Sequence, residues 1–270
     1  MDNKDCRLRG VSRVAGFRNI LLEKKDNVAK ITINRPPLNI VDIETLKELD
    51  KALNDVKRDE SVSLLILTAA GDRAFSVGFD IKDHTPEKVD ELIRRFHDVT
   101  LSLIDLDKPT IAVVDGLALG GGCELIATCD MVVASEKSEF GQPEIDVGVY
   151  PPVAVVLFPR LVGRMKALEL ILTGKRIGAK EAERIGLVNR VVPADRLEEE
   201  VDKLVSKLTE KSPIVLGLAK RALYRGLDME LKKALETVND SYLGLLMHTE
   251  DALEGLKAFL EKKKPRWKGK

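Results

Sequence analysis

Apolar and polar residues alternate over positions 19–23 and again over 28–34, on either side of the turn-forming pair Asp26-Asn27. Period-two alternation around such a pair predicts a β-hairpin. The period then changes. Apolar residues at 43, 46, 49, 53 and 56 follow the helical spacing, and the apolar run 62–67 reads as a buried strand. The unit recurs. Thr85-Pro86 is expected to cap a helix whose stripe is Val89, Leu92, Ile93, Phe96, Val99 and Leu103, and Thr110–Val114 is the next strand. Alternation of strand and helix implies an α/β layered core with mostly parallel strands. Beyond about Pro152 strands nearly vanish, and helical periodicity runs through 197–208, 214–223 and 229–246.

Length and charge narrow the function classes. The 270 residues suffice for a large core or for a domain with an appendage. Lys+Arg and Asp+Glu both total 44, so net charge is +0, which does not support duplex nucleic acid or an acidic membrane as a partner. The longest apolar stretch without charge, around 147–159, falls short of the about 20 residues a membrane span needs. The N-terminus mixes Arg7, Arg9, Arg13 and Arg18 with Asp2 and Asp5 and lacks an apolar signal core, so residues 1–18 are expected to be a flexible tail. The three cysteines, Cys6, Cys123 and Cys129, form no CxxC pair, which suits a reducing cytoplasm. His84, His97 and His248 share no ligand spacing with one another or with the cysteines, and no metal site is expected.

Chemistry gathers at two glycine turns and two carboxylates. Gly120-Gly121-Gly122 lies between the strand Thr110–Val114 and an apolar helical start at Leu125-Ile126-Ala127. Bare backbone N–H groups before a helix start can hold an anion or oxyanion. The same triplet can equally serve only to pack a helix tightly on a sheet. It is neither GxGxxG nor a Walker loop, so a nucleotide phosphate is not indicated. The stretch 75–82 follows another buried strand and places Gly78 in a turn where a second N–H donor could arise; alone, Gly78 reads as an ordinary turn glycine. Two such donors on one oxygen would stabilise an enolate or tetrahedral oxyanion. Glu124 and Glu144 have apolar neighbours, Cys123/Leu125 and Pro143/Ile145, where an ionised carboxylate is costly unless paired or used. Two carboxylates in different environments can divide acid and base roles, although a lone glutamate is ordinarily a solvated or capping one. Cys123 has no local histidine and reads as a small buried thiol.

Taken together, these residues resemble the enoyl-CoA hydratase/isomerase, or crotonase, superfamily over nearly the whole chain. The matching stretches are 31–36 with Asn39, 75–82, 115–124 followed by Cys129-Asp130, 140–145, and Leu172-Thr173-Gly174 through Ala179, Glu181-Ala182 and 186–188. The resemblance implies a spiral of ββα turns over 19–196 and a helical trimerisation region over 197–270, self-associating as a trimer or dimer of trimers. It implies that the backbone N–H groups of Phe79 and Gly121 hold the thioester oxygen of an acyl-CoA. It implies further that Glu124 and Glu144 bracket the water that adds to the double bond, with Glu144 delivering a proton to the α-carbon. Phe79, Asp80, Ile81 and Lys82 match the segment that lies along the CoA; Phe259 and Lys262 match residues that reach the adenosine end. No metal or redox cofactor is implied, coenzyme A being part of the substrate.

One segment departs from the pattern. Short-chain hydratases of the family usually carry Gly-x-x-Pro-Gly-x-Gly-Gly after the second glutamate, whereas this chain runs Gly148-Val149-Tyr150-Pro151-Pro152-Val153-Ala154-Val155-Val156. Tyr150, Pro151 and Pro152 therefore stand where the acyl pocket is lined. The stretch looks like that of the cyclohexa-1,5-diene-1-carbonyl-CoA hydratases of anaerobic aromatic degradation. Phe79, where a small residue is frequent, points the same way. A linear 2-enoyl-CoA hydratase and a double-bond isomerase are the enzymatic alternatives. A lysine-rich end, 262–270, keeps an RNA-binding relative as the non-enzymatic one, against which the neutral charge and 4% aromatic content weigh.

Overall fold

The computed structural model describes residues 12–270. The hairpin forms as the alternation requires, β2 (Ile20–Lys25) pairing antiparallel with β3 (Val28–Ile33). Ahead of it, β1 (Ser12–Val14) adds an edge strand. The expected tail 1–18 is thus corrected for its last residues. Strand pairing holds 12–14, and the Arg18 and Asn19 amides donate to the Glu48 carboxylate at 2.9 and 2.8 Å. Residues 1–11 of that tail lie outside the described residues.

Helix α1 (Ile43–Arg58) begins where Asp42 accepts from the Thr45 amide at 2.8 Å, and it buries Ile43, Leu46, Leu49, Leu53 and Val56 as its stripe dictates. Next come β4 (Leu64–Ala69), β5 (Ala74–Ser76) and α2 (Val89–Ile104). The start of α2 differs from the Thr85-Pro86 cap. The Thr85 carbonyl takes the amides of Lys88 and Val89 in a turn, and helical bonding begins only at Val89. A second round follows with β6 (Thr110–Val114), β7 (Leu117–Leu119) and α3 (Gly121–Ala127). A third has β8 (Met131–Ser135), β9 (Glu139–Gly141) and the helices α4 (Ala154–Leu161) and α5 (Arg164–Thr173). The chain then adds β10 (Ile177–Gly178), α6 (Ala179–Arg184) and β11 (Arg190–Val192), and ends in α7 (Leu197–Thr209), α8 (Pro213–Gly226), α9 (Leu231–Gly244) and α10 (Glu250–Leu260).

Each round sends one strand to each of two sheets. The larger has the order β1-β2-β3-β4-β6-β8-β11 and the smaller β10-β9-β7-β5, with all pairs from β3 to β11 and from β5 to β9 parallel. This is the ββα spiral. The apolar faces of strands and helices meet in a main core around Ile31, Leu46, Phe96, Val114, Phe140 and Phe158, and a second, smaller cluster of Leu64, Ile111, Val133, Val192, Leu197 and Val201 packs α7 against the larger sheet. The C-terminal helices dock through a polar latch: Lys220, 7% exposed, pairs with Asp130 at 2.8 Å, and the Tyr224 hydroxyl donates to the same carboxylate. A pair so enclosed fixes geometry, since removing either partner strands a buried charge. Among the described residues, no helix is long and apolar enough to cross a membrane.

Candidate active site

Parallel pairing in the smaller sheet puts three strand ends side by side. Leu117 is in register with Ala74 and Leu119 with Gly141, so β5, β7 and β9 finish at one edge with β7 in the middle. The turns that follow carry the residues singled out by sequence. Phe79 follows β5, the glycine triplet follows β7, and Glu144 lies in a 3₁₀ turn, Pro143–Val147, after β9. The backbone of Gly78 abuts the triplet so closely that a Cβ there would lie 3.3 Å from the Gly121 nitrogen. Gly120 adopts φ +52°, and a Cβ on it would sit 2.5 Å from the Glu144 Oε1, so that position requires glycine on two counts.

Two N–H groups are left facing this edge. Phe79 forms a parallel bridge with Val41 in which Val41 donates to the Gly78 carbonyl and Asp80 donates to the Val41 carbonyl, each at 2.9 Å. Those bonds use the residues on either side, so the N–H of Phe79 itself points away from Val41. Gly121 is the first residue of α3, and its N–H has no carbonyl four residues back within the helix. The Phe79 ring fills the space where a Gly121 side chain would stand and meets the Phe96 ring edge-on at 4.7 Å.

Glu124 occupies the next turn of α3 and is fully buried. Its Oε1 accepts from the amides of Val153 and Ala154, both at 2.7 Å, at the start of α4. Its Oε2 has no protein partner among the described residues, and neither has the Oε2 of Glu144. Burial pushes the Glu124 carboxyl up to about 8; the two amides oppose the rise and the Glu144 charge adds to it. Burial likewise lifts Glu144 to about 7. Near neutral pH the pair can thus hold one carboxylate and one carboxylic acid together. Cys123 lies within the field of both, and burial drives its thiol upward, which keeps it protonated and unsuited to nucleophilic attack.

These shifts have a consequence for stability. Both carboxyls bind protons more tightly in the fold than at their ordinary 4.5. Their contribution is therefore fully present below that value and is lost as pH rises through about 7 and about 8. Going from about pH 6 to about pH 9 should lower the melting temperature more for the unsubstituted chain than for Glu124→Gln, which has no proton to lose there. Equal slopes in a calorimetric pH series would contradict the raised value.

The remaining residues fall into three groups. Asp80 accepts from the Lys82 amide at 3.0 Å and begins the 3₁₀ turn Ile81–Asp83, with Ile81 and Lys82 exposed beside Phe79. Tyr150, Pro151 and Pro152 bridge the two carboxylates along the chain. The Val149 amide donates to the Glu144 carbonyl at 3.1 Å, and Val153 donates to Glu124. Pro151 is buried and Pro152 half-buried, whereas Tyr150 is 65% exposed. Phe259 lies in the last turn of α10, its phenyl 83% exposed, on a helix that packs against α8 and the turn Leu246–His248, and Lys262 follows two residues past the helix end. Sequence reasoning missed the Val153 and Ala154 amides. No local signal marks a backbone donor 29 and 30 residues from its acceptor.

Known proteins place this geometry. The model of the family described as enoyl-CoA hydratase/isomerase matches residues 23–270. A short-chain-enoyl-CoA hydratase of Clostridium acetobutylicum is 39% identical over 92% of this chain and 97% of its own length. A crotonyl-CoA hydratase of Syntrophomonas wolfei is 38% identical with the same coverage of both chains. The crystal structure of an enoyl-CoA hydratase from Bacillus anthracis superposes with a TM-score of 0.89 at 36% identity, covering 94% of this chain and all of that one. With a shared fold and sequence similarity that runs through both carboxylate-bearing turns, the chain belongs to the enoyl-CoA hydratase/isomerase family.

Proposed function

We propose that this hydro-lyase adds water across the conjugated double bond of an acyl-CoA thioester, with Glu124 and Glu144 as the acid–base pair. The observation that carries the reading is the pair itself: two buried carboxyls with raised proton affinity, each with one oxygen free of protein partners, beside two unspent N–H groups. As water attacks the β-carbon, the π electrons move toward the thioester and charge builds on its oxygen. The N–H groups of Phe79 and Gly121 stabilise that charge. Near neutral pH the two carboxyls share about one proton; in the arrangement that reacts it sits on Glu144, which gives it to the α-carbon, while Glu124, ionised, takes a proton from the water. One O–H bond and the C=C π bond are lost, and one C–O and one C–H bond form. No metal or redox step is needed. Phe79, Asp80, Ile81 and Lys82 would hold the CoA, and Phe259 and Lys262 would reach the adenosine end of a CoA, often that of a neighbouring subunit. Helix α9 buries none of its residues, and Leu231, Leu235 and Leu243 on it are exposed, which supports self-association as a trimer or dimer of trimers.

The acyl group we propose is cyclic, a cyclohexa-1,5-diene-1-carbonyl thioester. What supports this is bulk where flexible glycines would stand: Pro151 buried, Val153 and Ala154 buried against Glu124, and the Phe79 ring against Gly121. Rigid walls suit a flat, stiff ring. Two of the relatives named above are a short-chain-enoyl-CoA hydratase and a crotonyl-CoA hydratase, which makes crotonyl-CoA the competing substrate. Incubation with each thioester, followed by mass spectrometry for the gain of one water, separates the two. Faster conversion of the cyclic diene is expected; a preference for crotonyl-CoA would return the chain to linear 2-enoyl-CoA hydration.

A further inference from the structure

Among the described residues, six buried side-chain polar atoms have no hydrogen-bond partner in the protein, and four of them belong to three residues: Glu124, Glu144 and Gln142. Gln142 is the unusual member. Its side chain is fully buried, and both its Oε1 and its Nε2 are unpartnered. A carboxamide offers two donors and an acceptor, and a buried amide ordinarily spends them on backbone. Leaving all of them unspent is costly, so such a group is retained where something other than the protein meets it.

Its place in the fold says what that is. Gln142 follows β9 directly and precedes the turn that carries Glu144. Its neighbour Gly141 accepts the Gly120 amide at 2.9 Å, and the Gly141 backbone also meets the Cys123 thiol, one residue before Glu124. Gly141 turns its own face toward Arg176, so the flanking Phe140 and Gln142 face the opposite way, and both are fully buried. The amide is therefore enclosed in the interior two residues before Glu144, on a stretch whose preceding residue is bonded to Gly120 of the glycine turn.

We infer that Gln142 is a positioning residue that holds the water added to the substrate, a role that rests on the hydration reading above. A buried water is fixed by two to four polar partners. A carboxylate pair supplies acceptors and, when protonated, one donor, which leaves a water between them free to rotate. Oε1 of Gln142 takes the second hydrogen of the water whose first goes to Glu124, so the water gives the unpartnered amide the contact that the protein does not. The water's remaining lone pair is then held for the β-carbon.

The test compares two reactions of the full-length enzyme. Hydration of crotonyl-CoA and of the cyclic dienoyl-CoA needs the positioned water. Exchange of an α-proton of butyryl-CoA into D2O needs only Glu144 and the oxyanion donors. Gln142→Met, of similar size and without donors, should lower kcat for hydration about 100-fold while KM and the exchange rate stay within about threefold. Equal losses in both reactions would assign Gln142 to the scaffold, and unchanged hydration would also overturn the inference. Should Gln142→Met not fold, Gln142→Leu, which also lacks the donors and the acceptor and adds no charge near the pair, carries the same split. Failure of the unsubstituted enzyme to hydrate either thioester would overturn the hydration reading together with this one; normal hydration by both variants would overturn this one alone.

Discussion

Glu144→Gln is expected to hydrate its thioester about 1,000-fold more slowly than the unsubstituted enzyme, with CoA-ester binding nearly unchanged. The substitution keeps shape and a hydrogen-bonding oxygen but removes the only proton the residue could deliver to the α-carbon. Burial lifts the Glu144 carboxyl to about 7, so a protonated fraction is present near neutral pH to make that delivery. The oxyanion donors belong to the backbone of Phe79 and Gly121 and are untouched by the change. Binding by calorimetry and turnover by absorbance should therefore part company. Turnover within about tenfold of the unsubstituted rate would remove Glu144 from the mechanism.

Gly122→Ala is expected to cost about 3 kcal/mol of stability and about 100-fold in kcat. A Cβ at this position would overlap the Ser76 carbonyl oxygen and lie 2.7 Å from the Ser76 Cβ. Neither can yield easily, because Ser76 ends β5, in register with Ala118 of β7. The start of α3 must then lift from the sheet. That helix carries both the Gly121 N–H and Glu124, so the oxyanion donors spread apart and the base loses its aim. Denaturant unfolding gives the first quantity and steady-state kinetics the second. A stable variant of normal rate would show that this helix start tolerates displacement, and that the closeness of the three strand ends is not required for turnover.

The residues of this site were legible in the chain for different reasons. Glu124 and Glu144 stood out because each sat among apolar neighbours, and burial is indeed what raises their proton affinity. The glycine triplet stood out by composition, which is the same for an anion site and for a tightly packed helix; the structure shows the packing, Gly121 against the Phe79 ring and Gly122 against Ser76. Strand β7 escaped notice because Leu117–Leu119 is three residues between glycines, too short for any period to register. The edge strand β1 escaped because it is made by its partner β2 and not by its own pattern. Gln142 carried no signal at all: a glutamine before Pro-Glu is unremarkable until its two polar atoms prove to be buried without partners.

Local pattern alone determined the hairpin, the stripes of α1 and α2, the α/β alternation and the helical C-terminus, because a helix or a paired strand with one buried face writes its period into neighbouring positions. Tertiary structure decided which strand ends meet. The β5-β7-β9 register, not sequence proximity, brings Phe79, Gly121 and Glu144 to one edge, and α4 closes on Glu124 from 29 residues away. It also decided the chemistry of the carboxylates. Proton affinity depends on how much water the whole fold removes from an oxygen and on which dipoles it aims there, and neither quantity is a property of any short stretch of chain.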